Sequence, residues 1–271
     1  MSVLSDDVTA VTEKLPLVSV VMPVFNGAHT LEQSMGSVLD QTCADLELLV
    51  VDDASTDSSA QVVERAASAD PRVRLLRRAS SGGPAAARNT ALASARGRYV
   101  AFCDADDLWL SHKLERQLEL ARTSGAALVY CGYHRIAADY AGSVAQFTPD
   151  GRVVRVPSRL THAQLLRRNV IGNLTAVVDT ARTGPVRMPD LPGAEDWALW
   201  LKVVREHGPA AGIDQPLALY RTAQAHSHSA DRGRAVRAVW RVLRQQEHLS
   251  RPGAAVRLLT GIAAALRKRR I

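Results

Sequence analysis

Apolar, β-branched runs recur along the first half of the chain at nearly constant intervals. VSVVMPV (18–24), LELLVVDD (46–53), RVRLL (72–76), RYVAFCD (98–104) and AALVYCGY (126–133) begin 26 to 28 residues apart. Between them the hydrophobic period changes from that of a strand to that of a helix. Leu31, Met35, Val38 and Leu39 form one stripe, Val62, Val63 and Ala66 a second, and Leu114, Leu118 and Ala121 another. Strand–helix units of this length predict parallel strands joined by right-handed crossovers. The expected class is α/β, a Rossmann-like, mostly parallel sheet flanked by helices. No sequence repeat underlies the spacing.

After Tyr133 the pattern loosens. Gly142, Pro149, Gly151 and Pro157 interrupt short β-prone pieces. THAQLLRRN (161–169) predicts a short helix with Thr161 as N-cap. TAVVD (175–179) and LALYR (217–221) predict strands, and Glu195 to Glu206 a helix. From about Arg232 the tail has helical character with a break at Arg251-Pro252-Gly253. The expected organisation is an extension over 1–16 and one α/β domain over 17–229, its nucleotide-binding half 17–133 and acceptor-facing half 134–229. A basic helical tail over 230–271 completes it.

Composition is that of a soluble globular chain: 271 residues, 46% hydrophobic and 23% charged. Cys43, Cys103 and Cys131 are far apart with no CxxC pair, which argues for a reduced, cytosolic setting. The first 16 residues carry Asp6, Asp7 and Glu13 and no apolar core of a signal peptide. The net charge of +7 hides an asymmetry. Residues 1–70 balance to −10, and residues 221–271 to +10. The basic tail suggests an anionic partner.

In open α/β sheets ligands sit beyond the carboxyl ends of the strands. Pro23-Val24-Phe25-Asn26 follows the first strand, and Asp52-Asp53-Ala54-Ser55-Thr56-Asp57 the second. Ser80-Ser81-Gly82-Gly83-Pro84, leading to Arg88-Asn89, follows the third, and Asp104-Ala105-Asp106-Asp107 the fourth. The last run concentrates carboxylates that a hard divalent cation would neutralise, or that cap the next helix. The second run accepts hydrogen bonds from a base or ribose, or caps a helix. The glycine turn before Arg88 suits an anion or is a plain loop. Glu195-Asp196 heads an aromatic helix, where a desolvated carboxylate gains basicity or simply pairs with the helix dipole. His226 and His228 have metal-ligating spacing but sit in a polar stretch. Ala255, Leu258, Leu259, Ile262 and Leu266 make an apolar stripe before Arg267-Lys268-Arg269-Arg270, suited to an anionic bilayer or to docking on the domain.

In order and spacing, VSVVMPVFN, LLVVDDASTD, GGPAAARNTAL, GRYVAFCDADDLW and EDWALWLK together resemble family 2 glycosyltransferases of the GT-A fold. THAQLLRRNVIG, LPGAEDWALWLKV and IDQPLALYR are further similar to enzymes of capsule, O-antigen or teichuronic-type polysaccharide assembly. The resemblance implies inverting transfer of a sugar from a nucleotide-diphosphate donor, with UDP the expected nucleotide. It implies that Pro23, Val24, Phe25 and Asn26 line the nucleoside site, that Asp53 reads the base, and that Gly83 and Arg88 lie near the nucleotide. It further implies that Asp104 contacts ribose or metal, that Asp106 holds Mg²⁺ or Mn²⁺ on the diphosphate, and that Asp196 is the general base. The implied acceptor is a glycan or a polyprenyl-diphosphate-linked sugar, met on the cytoplasmic side. The resemblance spans roughly Leu17 to Ser229; that residues 254–271 rest on an anionic membrane is expected from their apolar stripe and basic end alone.

One departure stands out: Asp53-Ala54-Ser55 replaces the Asp-Gly-Ser of many relatives, so a turn with positive φ would put a mild cost on Ala54. A nucleotidyltransferase would want a basic phosphate loop after the first strand, which Pro23 to Gly27 lacks. A nucleotide-sugar-binding protein without catalysis would not need both Asp106 and Asp196. Aromatic residues at 4% offer no stacking platform for nucleic acid.

Overall fold

The computed structural model describes residues 14–149, 152–222 and 232–267. Its first half follows the expected alternation: β1 (Val18–Val24), α1 (Ala28–Leu39), β2 (Leu46–Asp52), α2 (Ser59–Ala69), β3 (Val73–Arg77), α3 (Gly83–Leu92) and β4 (Tyr99–Phe102). There follow β5 (Leu108–Trp109), α4 (Lys113–Ser124), β6 (Leu128–Ile136), β7 (Val153–Val154), β8 (Arg159–Leu160) and α5 (His162–Arg167). The chain continues through β9 (Val177–Asp179), α6 (Thr180–Thr183), α7 (Glu195–His207), β10 (Ala210–Arg221), α8 (Arg232–Arg241) and α9 (Arg251–Arg267).

One mixed sheet runs β3-β2-β1-β4-β9-β6-β10-β5, with β7 on β6 and β8 on β10. β3, β2, β1 and β4 are parallel neighbours, in register from Val18↔Leu46 to Val24↔Asp52 across the central pair. Every residue of β2 is buried, as strands covered on both faces require. The fifth expected strand, β6, keeps the common direction but does not adjoin β4. The short strand β9 enters between them, antiparallel to both. The sheet is therefore parallel from β3 to β4 and mixed beyond β4. The expected division between residues 133 and 134 falls inside β6, so the halves share one sheet.

Two apolar layers result. One joins α1, α2 and α4 to the sheet through Leu31, Met35, Val38, Val63 and Leu114. The other joins α3, α5, α7 and α8 to its opposite face through Ala87, Leu165, Trp200, Ala238 and neighbours. Trp200 packs edge-on against Phe102, with ring centres 5.5 Å apart, and so fixes α7 over β4. Thr161 caps α5 as expected, within a reciprocal capping box with Gln164. LALYR proves to be the end of a longer strand. Its earlier part, Ala210 to Pro216, contains a glycine, a proline and a register shift that hide its period.

The tail departs from expectation in one respect. Arg251-Pro252-Gly253 is not a break but the first turn of α9, where the missing proline N–H costs nothing. Ser250 caps it, accepting the Gly253 N–H through Oγ at 3.3 Å. The break precedes it, around His248, whose φ is 52°. Ala254 is fully buried and Leu258 packs on the core, while Val256 and Leu259 face solvent. Among the described residues no helix is long and apolar enough to cross a membrane.

Ala54 adopts φ 63°, the left-handed conformation that its position suggested. Ala54→Gly should stabilise the fold by about 0.5–1 kcal/mol, the left-handed penalty less the extra chain entropy of glycine. Urea denaturation measures this. An unchanged or lowered midpoint would show that the turn is relaxed in solution.

Candidate functional site

The loops after β1, β2, β4 and the segment before α3 meet on one rim. Asn26, at φ 51°, stitches the first two together. Its Oδ1 accepts the Thr56 and Asp57 N–H groups at 2.8 and 3.3 Å, and Asp57 in turn accepts the Ala28 N–H at 3.1 Å. Pro23 and Val24 end β1 beside them, Pro23 half-buried and Val24 in the core, and Phe25 is 55% exposed.

Asp53 is 3% exposed and heavily engaged. It accepts the Ser81 hydroxyl at 2.8 Å, the Gly83 N–H at 2.9 Å and the Gly82 N–H at 3.1 Å, and it pairs with Arg78. The helix start at Gly83, φ 79°, thus already holds an anion, the Asp53 carboxylate itself. A base reaches Asp53 only by displacing one of these donors.

Arg88 lies one turn into α3 and points inward, 6% exposed. One terminal nitrogen donates to Asp104 Oδ1 at 2.6 Å, and the other faces Glu195 Oε1 at 3.5 Å. Asn173 adds a second donor to the same Asp104 oxygen at 3.1 Å. Glu195 is held from the other side by the Gly193 N–H at 2.7 Å. Burial works against the Arg88 charge, but Asp104, Glu195 and Asp196 outweigh it and leave its pKa raised. Arg88 was expected beside the nucleotide; the structure commits its guanidinium to two carboxylates, one from each half of the domain.

Asp196 is the second residue of α7, and the helix N-cap is Ala194, so Asp196 is not the cap. Its carboxylate accepts the Trp197 N–H at 2.6 Å. Burial pushes its pKa up to about 6; the Trp197 N–H and Arg88 oppose this, while Glu195 and Asp104 add to it.

Across the rim, Asp106 is exposed and Asp107 buried. Desolvation and the neighbouring carboxylates raise both, Asp107 the further. Arg221, 3% exposed, braces this loop. Its N–H donates to Asp107 Oδ1 at 3.1 Å and its Nε to the Asp106 carbonyl at 2.8 Å. The rest of its fork reaches the Tyr140 carbonyl at 2.7 Å and Gln33 Oε1 at 2.9 Å. His29, Gln33, Tyr140 and Arg221 line a cleft beside the loop. Among the described residues no three His, Cys, Asp or Glu side chains converge on a metal position. His226 and His228 lie outside the described residues.

The structure therefore brings Asp53 against Gly83, and Arg88 against Asp104 with Asp196 close by; Asp106 is two residues from Asp104 in the same loop. Sequence reasoning missed three supports. Arg221 ends a strand motif and carried no polar signal of its own. Asn173 sits in a stretch without periodicity. Glu195 was visible only as one of two acids heading a helix.

The Glycosyl transferase family 2 profile matches residues 19–168. The chain belongs to that family. It is 36% identical to the putative teichuronic acid biosynthesis glycosyltransferase TuaG of Bacillus subtilis, over 86% of this chain and 90% of the relative. It is 37% identical to the UDP-Glc:alpha-D-GlcNAc-diphosphoundecaprenol beta-1,3-glucosyltransferase WfgD of Escherichia coli, over 72% of each chain. Among solved structures, S. aureus TarS 1-349 in complex with UDP-GlcNAc superposes with a TM-score of 0.68 at 18% identity, over 89% of this chain and 70% of that one. The mannosyltransferase PcManGT of Pyrobaculum calidifontis, in complex with GDP-Man and Mn²⁺, gives 0.66 at 22%, over 93% and 74%. These two likenesses establish the GT-A fold, and membership of the family makes the protein a glycosyltransferase.

If Arg88 is what neutralises Asp104 and Glu195, Arg88→Met leaves the buried Glu195 and the partly exposed Asp104 without a counter-charge. The variant should lose about 3 kcal/mol of stability at pH 7, measured by chemical denaturation. A loss below about 1 kcal/mol would show that solvent, not Arg88, satisfies them.

Proposed function

We propose that the protein moves a sugar from a nucleoside diphosphate donor, a UDP-sugar, to a hydroxyl of a lipid-linked or glycan acceptor in cell-surface polysaccharide assembly, with inversion at the anomeric carbon. The observation that carries this reading is that Arg88 joins the Asp104–Asp107 loop to the head of α7, where Glu195 meets it and Asp196 follows within its field. The relatives named for teichuronic acid synthesis and for a diphosphoundecaprenol acceptor support the substrate classes.

In this reading Pro23, Val24 and Asn26 form the nucleoside floor and Phe25 covers the base. Asp53 keeps the 78–83 loop in place for it, with Gly83 at the edge. Asp104 and Asp106 offer hard oxygen donors in a loop whose crowded carboxylates call for positive charge, which fits Mg²⁺ or Mn²⁺ completed by diphosphate oxygens. When bound, such an ion neutralises charge on the departing diphosphate. Asp196 takes the proton of the acceptor hydroxyl as its oxygen bonds to the anomeric carbon and the bond to the diphosphate breaks. One displacement from the face opposite the leaving group gives inversion. A base whose pKa is near 6 is ionised at neutral pH yet basic enough to accept that proton.

Asp196→Asn keeps the shape of the side chain and cannot take a proton. Transfer should fall by a factor on the order of 10²–10⁴ with donor binding intact. In the wild type, turnover should rise with pH up to about 6 and then level. The stability difference runs the other way. The raised pKa favours the protonated fold, so the wild type loses stability relative to the variant as pH climbs from about 4 through 6. Transfer that survives in the variant would place the base elsewhere.

The basic tail places the protein on the inner face of the membrane in this reading. Because Ala254 is core, the test is charge substitution rather than truncation. Replacing Lys268, Arg269 and Arg270 by Gln should release the protein from anionic vesicles at low salt by roughly 1 kcal/mol per charge. Equal binding by the variant, or none by the wild type, would contradict it.

A further inference from the structure

Arg135 and Arg152 face each other across the short ladder at the C-terminal end of β6. The register runs Tyr133↔Val154 and His134↔Val153, and the next pair is joined by the Arg135 N–H on the Arg152 carbonyl at 3.0 Å. Directly opposed residues of an antiparallel pair share a face, so both guanidiniums emerge side by side. Both residues are exposed, and among the described residues neither has an acidic partner. Opposed like charges destabilise a sheet, so packing gives no reason for the pair.

Its place in the sheet gives one. Arg135 lies opposite Tyr220 of β10, and Leu219 opposite Leu108 of β5, which sets Tyr220 against Asp107 at the next step. Arg152, Arg135, Tyr220 and Asp107 thus form one cross-strand row ending at the acidic loop. Two inter-strand steps of about 4.8 Å put Arg135 roughly 10 Å from that loop, and a third puts Arg152 about 14 Å from it. The Tyr220 hydroxyl registers it directly, since burial followed by Asp107, Asp106 and Asp104 pushes its pKa up to about 12. On the same face Tyr133 neighbours Gly172, and the next residue, Asn173, binds Asp104.

We infer that Arg135 and Arg152 form an anion subsite for the acceptor, taking the phosphate or diphosphate through which an acceptor sugar is linked to its carrier. This rests on the glycosyl-transfer reading for its role, but the site itself is testable without it. Two adjacent planar forks suit the several oxygens of a diphosphate. The roughly 10 to 14 Å between this pair and the acidic loop leaves room for one sugar ring between the anchored phosphate and the reacting hydroxyl. It also keeps the acceptor's charge apart from that of the donor.

The test compares wild type with Arg135→Gln/Arg152→Gln, using inorganic pyrophosphate and farnesyl diphosphate as probes and farnesol as the uncharged control. Binding is measured by calorimetry in EDTA, so that no cation can draw the probes to Asp104 and Asp106. Both diphosphates should bind the wild type and weaken at least tenfold in the double variant, and the wild-type affinity should fall as salt rises. Farnesol should not distinguish the proteins, and the melting temperature should not drop, since no structural partner is lost. Loss confined to farnesyl diphosphate would show a lipid groove rather than an anion site and would overturn the inference. So would equal affinities in the two proteins, or a variant that fails to fold. UDP binding with Mn²⁺ is measured alongside. If it is absent in the wild type, the transferase reading fails while the pyrophosphate result still decides the subsite.

Discussion

The arrangement of the rim depends on one buried cation. Arg88 enters from α3, between the sheet and α7, and holds Asp104 at the end of β4 and Glu195 at the start of α7. Those carboxylates are 91 positions apart in the chain and belong to different halves of the domain. Without the guanidinium between them, their mutual repulsion and desolvation would oppose the closure of α7 over β4 that Phe102 and Trp200 drive. Its charge is used up by these two groups, which leaves Asp196, the third acid nearby, only partly compensated. Burial raises the pKa of Asp196 to about 6, and Arg88, engaged by the other two acids, offsets only part of that rise.

A second arginine performs a parallel task on the other side. Arg221 ties the end of β10 to the Asp106–Asp107 segment, to α1 and to the loop around Tyr140. The acidic loop is thus held by backbone and side-chain bonds that leave the Asp106 carboxylate exposed. Asp53 does comparable work for the 78–83 loop. In each case a buried charge is spent on shaping a loop, so that the groups left exposed at the rim, Phe25 and Asp106 among them, stand on a rigid support.

The parallel half was legible because its strands are buried on both faces and its helices on one, which writes two distinct periods into the sequence. β9 and the first part of β10 were harder. β9 is three residues long, and its place between β4 and β6 is a tertiary fact with no local signature. Pro216 and Gly212 disguise β10. At the site, residue types and order revealed the acids and the turn residues, and the positive φ at Ala54 followed from the turn's family pattern. What the sequence could not show is pairing. That Arg88 serves carboxylates, that Asp53 is occupied by its own loop, and that Arg221 is a brace all follow from contacts between residues 16 to 188 positions apart.

Arg88 couples the two halves through Asp104 and Glu195, which do not need to touch. A double-mutant cycle on folding free energy with Asp104→Asn and Glu195→Gln measures this most directly. A non-additive term of about 1 kcal/mol or more is expected, vanishing when the cycle is repeated in an Arg88→Met background. Additive effects with Arg88 present would contradict it.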